Sequence, residues 1–270
     1  METKTNYSTT KELVIATQLP ETTRTYKPFS NQQIIELTLN GISNAGFTLD
    51  KETYSCAKEG LVCNGRYTIG NVADGEMQLQ ISWLNSYDKS KPLSFFVGAL
   101  ITVCSNGLQR SMGMGGFKKK HQGQIQEFTP YAIGEYIKGA QETFLQIQKE
   151  RDVMKEVVLT KEDQDFLIGK MFIEEEFVKS TQLNIIKSEL KHPTHSYGDP
   201  NSLWSLYQYT SFSMRELHPS LSLQDHLDAH EFFVNAAGIL IEKAPTIILP
   251  SEGEKIAANQ LDLFNETIMI

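Results

Sequence analysis

Several kinds of residue are scarce in this sequence, and each scarcity excludes something. Three cysteines in 270 residues (Cys56, Cys63, Cys104) form no C-x-x-C pair and leave an odd count, which argues against a disulfide framework. No apolar run approaches the roughly 18 residues a membrane-spanning helix needs. The first residues, Met-Glu-Thr-Lys-Thr-Asn-Tyr-Ser, lack the apolar core of a signal peptide, so a cytoplasmic location is expected. Positive charge is also short: 25 Lys+Arg stand against 33 Asp+Glu, a net charge of −8. A protein that coats nucleic acid over its whole surface is thereby excluded. Internal repeats are absent.

What is present is ordinary in amount and uneven in distribution. Apolar residues make up 40% of the chain and charged residues 21%, enough for a sizeable core in a globular protein. Residues 1–149 carry 15 cations against 13 anions, and residues 150–270 carry 10 against 20. Such asymmetry points to an anionic partner for the first half only, or else to a plain acidic solvated face on the second.

The pattern predicts an α+β fold: a helix followed by an antiparallel β-meander, then a helical C-terminal half. Residues 1–29 read as a polar lead with a short strand over 12–18. Ser30 and Gln33 have the spacing of a capping box, and Gly46 suits the left-handed close of the helix they begin. Residues 47–57 and 61–70 form a hairpin around Lys58-Glu59-Gly60. Residues 76–84 alternate as a strand, 93–103 form a central strand, and 117–121 add a short edge strand. Thr129-Pro130 is the expected start of a helix with Ile133, Ile137, Ala140, Phe144 and Ile147 buried. Thr160 caps the next, burying Phe166, Ile173 and Phe177. A helix follows around Trp204, and Ser222 caps a last long one reaching about Ile241. The divisions are a 30–150 meander domain, a 151–244 helical region packing on it, and a 245–270 tail.

The chemistry concentrates between Trp83 and His121. Lys118, Lys119, Lys120 and His121, with Arg110 upstream and Arg66 on a neighbouring strand, can form one cationic patch. Phosphates are held by such cations, and the binding falls steeply with salt. In an extended segment Lys118 and Lys120 share one face and Lys119 takes the other. Lysines on an edge strand also discourage aggregation, and that reading stays open. Tyr54, Tyr67, Trp83 and Tyr87 on the meander suit base stacking if exposed.

Other candidates are weaker. Gly113-Met114-Gly115-Gly116 lacks the G-K-S/T of a phosphate loop. His226 and His230 stand one helical turn apart, as on zinc helices, but not as H-E-x-x-H. Cys104 and His121 lack a third group and an oxyanion site. No catalytic set, metal site or cofactor is expected, and the protein is read as a non-enzyme.

Four short motifs occur in order: Asn85-Ser86-Tyr87-Asp88, Cys104-Ser105-Asn106-Gly107-Leu108, Lys120-His121-Gln122-Gly123 and Asn201-Ser202-Leu203-Trp204. Together, over about residues 30–235, they resemble the uncharacterised phage/plasmid-like protein family, a domain of unknown function common in phages and plasmids. Ser202 departs from that family's usual threonine, and Gln208-Tyr209-Thr210 from its Asn-Ala-Val-Thr. The order of elements is similar to phage single-strand annealing proteins of the Redβ, RecT and Rad types. That similarity implies single-stranded DNA held in a cationic groove, often within rings or filaments. The expectation is therefore a phage- or plasmid-type protein that binds single-stranded nucleic acid through Arg66, Arg110, Lys118, Lys119, Lys120 and His121, in the host cytoplasm, as a homo-oligomer and with no membrane partner. The alternative is an interaction protein directed at a host protein such as a defence component.

Overall fold

The computed structural model describes residues 7–102, 106–109, 116–215, 217 and 219–243. Among these, seven strands form one antiparallel sheet, followed by a helical half, the α+β arrangement the pattern predicts. The strands are β1 (Ser8–Thr9), β2 (Leu49–Ala57), β3 (Val62–Ala73), β4 (Met77–Ser86), β5 (Leu93–Ile101), β6 (Asn106–Gln109) and β7 (Gly116–Lys119). Each of the first five pairs with the next, and β7 pairs with β5 beside β6.

Helices α1 (Lys11–Ala16) and α2 (Asn31–Asn44) precede the long strands. The others are α3 (Ile125–Lys138), α4 (Ala140–Glu156), α5 (Lys161–Ile173), α6 (Ser180–Lys191), α7 (Leu203–Ser213) and α8 (Pro219–Lys243). At α2, Ser30 accepts from the Gln33 backbone while the Gln33 side chain accepts from Ser30. The box expected from the sequence is therefore formed, and Gly46 sits at φ 73° just beyond the helix.

Several expectations are corrected. Residues 11–16 are a helix, not a strand: Thr10 accepts from Leu13 N, and this cap outweighs the extended preference of Val14 and Ile15. α3 starts at Ile125, ahead of Thr129-Pro130, because buried Ile125 recruits one more turn and Pro130 is tolerated near the start. α5 has its Thr160–Asp163 capping box but turns its other face inward. Leu167, Ile168 and Met171 are buried, while Phe166 is 64% and Ile173 72% exposed. α8 begins at Pro219, three residues before Ser222. Finally, Cys56 and Cys63 lie opposite one another in the β2–β3 register and are joined as a disulfide.

The two faces of the sheet differ sharply. One carries Cys63, Tyr67, Ile69, Leu79, Ile81, Trp83, Phe95 and Val97, all buried in the main core. Helices α2 and α3 close this side, with Phe117 stacked on Phe95 and edge-on to Phe128 of α3. The opposite face carries Asn64, Thr68, Gln80, Ser82, Ser86 and Ser94, which are buried although polar. It also carries a small buried apolar cluster apart from the main core, Val62, Leu84 and Phe96 with Leu227 of α8.

Candidate nucleic-acid interface

Strand register arranges the polar face into two rows. One runs Thr53, Arg66, Ser82, Phe96, Gly116, and the next runs Ser55, Asn64, Leu84, Ser94, Lys118. Directly paired residues of an antiparallel sheet share a face. Arg66 and Lys118 therefore lie on one face, three strand spacings apart, about 14 Å at ~4.8 Å per spacing. The expected alternation splits the lysines: Lys118 reaches 5.8 Å from the Phe96 ring on this face. Lys119 sits 4.7 Å over the Phe128 ring on the other. Lys120, just past the end of β7, is exposed.

α8 lies over the polar face. Lys118 Nζ donates to Gln224 Oε1. Burial lowers the Lys118 pKa, while Asp228 and Glu231 of α8 attract its charge and Lys91 opposes it. Burial also lowers the pKa of Arg66. His226 of α8 is 3% exposed and its Nδ1 has no hydrogen-bond partner. Its pKa falls to about 3 through burial and then the nearby Arg66 cation. Asp225 is pushed up to about 6, by burial first and then by Asp228. These α8 side chains were missed as components of the patch because they lie more than a hundred residues from Lys118. The one available signal was the acidic excess of the second half.

His121 has a different place from the lysines beside it. It is 5% exposed, its Nε2 meets Asn85 Oδ1 at 2.8 Å, and its ring packs near Tyr26. Burial lowers its pKa, so it adds no cation to the surface at neutral pH. Asn85 Nδ2 donates to Phe29 O and to Asn31 Oδ1, both at 2.8 Å, and Tyr87 Oη accepts from Asn31 N. Two of the recurrent motifs thus converge on one buried hub. The meander aromatics Tyr54, Tyr67, Trp83 and Tyr87 are buried as well, a correction to their proposed stacking role. Trp83 Nε1 donates to Tyr67 Oη at 3.0 Å, and the indole fills the space over Gly65. Arg110, Cys104, His218 and the 113–115 part of the glycine loop lie outside the described residues.

The second histidine of α8 belongs to a buried chain. His230 Nε2 lies 3.0 Å from Glu150 Oε2 of α4, and Nδ1 lies 3.1 Å from Tyr207 Oη of α7. The arrangement has the order of an acid–base relay. Tyr207, however, is fully buried and its pKa is raised well above the ordinary value, by burial first and then by Glu150. A phenol held protonated out of reach of solvent is no nucleophile, and the chain acts as a polar tie between α4, α7 and α8. Among the described residues no group of three or more His, Cys, Asp or Glu could hold a metal, and no helix is long and apolar enough to cross a membrane.

Fold and site together define a class: a single antiparallel sheet with one aromatic and one polar, cation-bearing face, clasped by helices on both sides. A family model described as a domain of unknown function (DUF932) matches residues 19–215, and the chain belongs to that family. No curated protein and no solved structure matches it. α8, which covers the polar face, lies beyond the matched residues.

Proposed function

We propose that this is a phage- or plasmid-type protein that binds single-stranded nucleic acid in the cytoplasm and promotes strand annealing as a homo-oligomer. The observation that carries the reading is the polar sheet face with Arg66 and Lys118 on it, bordered at the edge strand by exposed Lys120, with Lys119 on the reverse side of that strand. A sheet face of hydroxyl and amide groups bordered by cations suits a sugar–phosphate backbone, which offers acceptors and charge with no demand for sequence. Lys120, exposed just past the end of β7, meets the nucleic acid first, and Lys119, which lies over Phe128 on the other side of the same edge strand, meets a nucleic-acid strand that wraps that edge. His121 acts indirectly, by fixing the end of β7 to Asn85. The motif resemblance and the order of elements support the phage setting and the annealing role, and catalysis has no part in this reading.

The test is fluorescence anisotropy with a labelled oligonucleotide of about 30 nucleotides, at low and moderate salt. Replacing Lys119 and Lys120 by alanine is expected to weaken binding and to flatten the log K against log salt plot by about 1.4, two contacts at ~0.7 each for a single strand. An unchanged slope would remove these lysines from the interface.

One observation favours a second reading. Phe166 and Ile173, seven residues apart on one face of α5, are both well exposed. An apolar helix face suits a protein partner, such as a host defence component, and retention of a protein at high salt with no nucleic acid would support it.

A further inference from the structure

The two halves of α8 are held in unlike ways. From Ala229 onward, Ala229, Phe233, Ala236 and Ala237 pack in the main core, and Phe233 stacks on Tyr207. The Glu150–His230–Tyr207 chain fastens the same half. Ahead of that point the helix rests on the polar sheet face. Leu227 supplies the only α8 member of a four-residue apolar cluster apart from the main core. Its polar contacts with Lys118 are ones that water or a polyanion could replace: Gln224 accepts from the ammonium, and Asp228 and Glu231 attract it. His226 is buried with Nδ1 unpartnered, a cost that is relieved when the helix lifts.

Building on the nucleic-acid reading, we infer that the first half of α8 is a built-in competitor: Asp228 at its end, helped by Glu231 at the start of the anchored half, stands in for phosphates on the Lys118 side of the sheet, and a bound strand displaces residues 219–228 while the second half stays anchored. A closed state that occupies the site lowers apparent affinity by the fraction of open molecules. Acidic side chains are the natural occupant of a phosphate-binding face, and here they are joined to it by the same chain. The open site also presents Arg66, whose cation lies near enough to His226 of the closed helix to lower the imidazole pKa.

The full-length D228N/E231Q variant is compared with wild type and with E174Q/E175Q, which removes the same number of charges from exposed positions. Oligonucleotide binding is measured by anisotropy, and amide hydrogen exchange over 219–231 is followed with and without the strand. The expected result is binding about tenfold tighter for D228N/E231Q than for the control variant, together with faster exchange over 219–228 when the strand is bound. Equal affinities of the two variants with α8 exchange unchanged by a bound strand would overturn the competitor and leave nucleic-acid binding standing. Absence of binding by all three proteins at low salt would overturn both.

Discussion

At Asn85 one side chain holds three partners from two other segments of the chain: the Phe29 carbonyl and the Asn31 amide oxygen from one, and the His121 ring from the other. All are buried, so none can turn to water if the asparagine is removed. Leaving such groups unmatched costs about 1–3 kcal/mol each, softened by local adjustment. Asn85→Ala is therefore expected to destabilise the protein by ~2–4 kcal/mol, read as a lower urea midpoint with an unchanged slope. A loss below about 1 kcal/mol would show that water enters the hub. The sequence marks Asn85 as part of a polar turn, and its Asp88 behaves as turns require, accepting from Ser90 N at 2.9 Å. The hub itself was not legible, because its partners lie 36 to 56 residues away and a turn signal is local. His121 was misjudged for the same reason: next to three lysines it looks like a fourth cation, and only its distant partner makes it a core residue.

The elements that were legible are those whose ends carry their own chemistry. α2, α5 and the β2–β3 hairpin follow from Ser30–Gln33, Thr160–Asp163 and Lys58-Glu59-Gly60, where short-range hydrogen bonds or positive φ angles decide the outcome. Harder to read was which way an element faces. Phe166 and Ile173 look like core by residue type, yet Leu167, Ile168 and Met171 occupy the inward stripe. β7 depends on a position that resembles loop in sequence. A Cβ on Gly116 would meet the Phe95 carbonyl oxygen and Phe96 Cδ1, both at 2.3 Å. The carbonyl cannot yield without opening the β5–β7 ladder. Gly116→Ala is expected to cost ~2–4 kcal/mol and to release β7, detected as lost amide protection at residues 117–119 while β3 and β4 keep theirs. Retained protection would mean that the sheet absorbs the methyl group by bending at the edge.

Over the whole molecule the charge asymmetry that is visible in the sequence has a spatial meaning: part of the acidic half folds back over the cationic face of the first half. The buried polar face was legible as alternation in N-G-R-Y-T-I and M-Q-L-Q-I-S-W-L, but alternation implies a solvated face, and only the packing of α8 reveals that this one is covered. The cover carries a pH signature. Asp225 is held near 6, above its unfolded value of about 3.9. The folded state therefore binds more protons between those values, and stability falls as pH rises from about 4 to about 6, then stays level. His226 runs the other way: its folded value of about 3 lies below the unfolded ~6.5, so stability is lost as pH falls from about 6.5 toward 3. Around them, Asp228 adds to the Asp225 penalty, Lys179 and Lys91 reduce it, and Arg66 strengthens the His226 effect. The two are separable by mutation. Asp225→Asn should raise stability at pH 7.5 by about 1–2 kcal/mol, allowing for the partial exposure of the site, a rise in Tm of roughly 2–4 °C. Near pH 4 both proteins carry an uncharged side chain at this position and their melting temperatures should nearly converge. An equal gain at both pH values would assign the effect to hydrogen bonding. A gain confined to neutral pH would identify the ionised Asp225 as a charge held over the sheet at a cost, as a helix standing in for a polyanion requires.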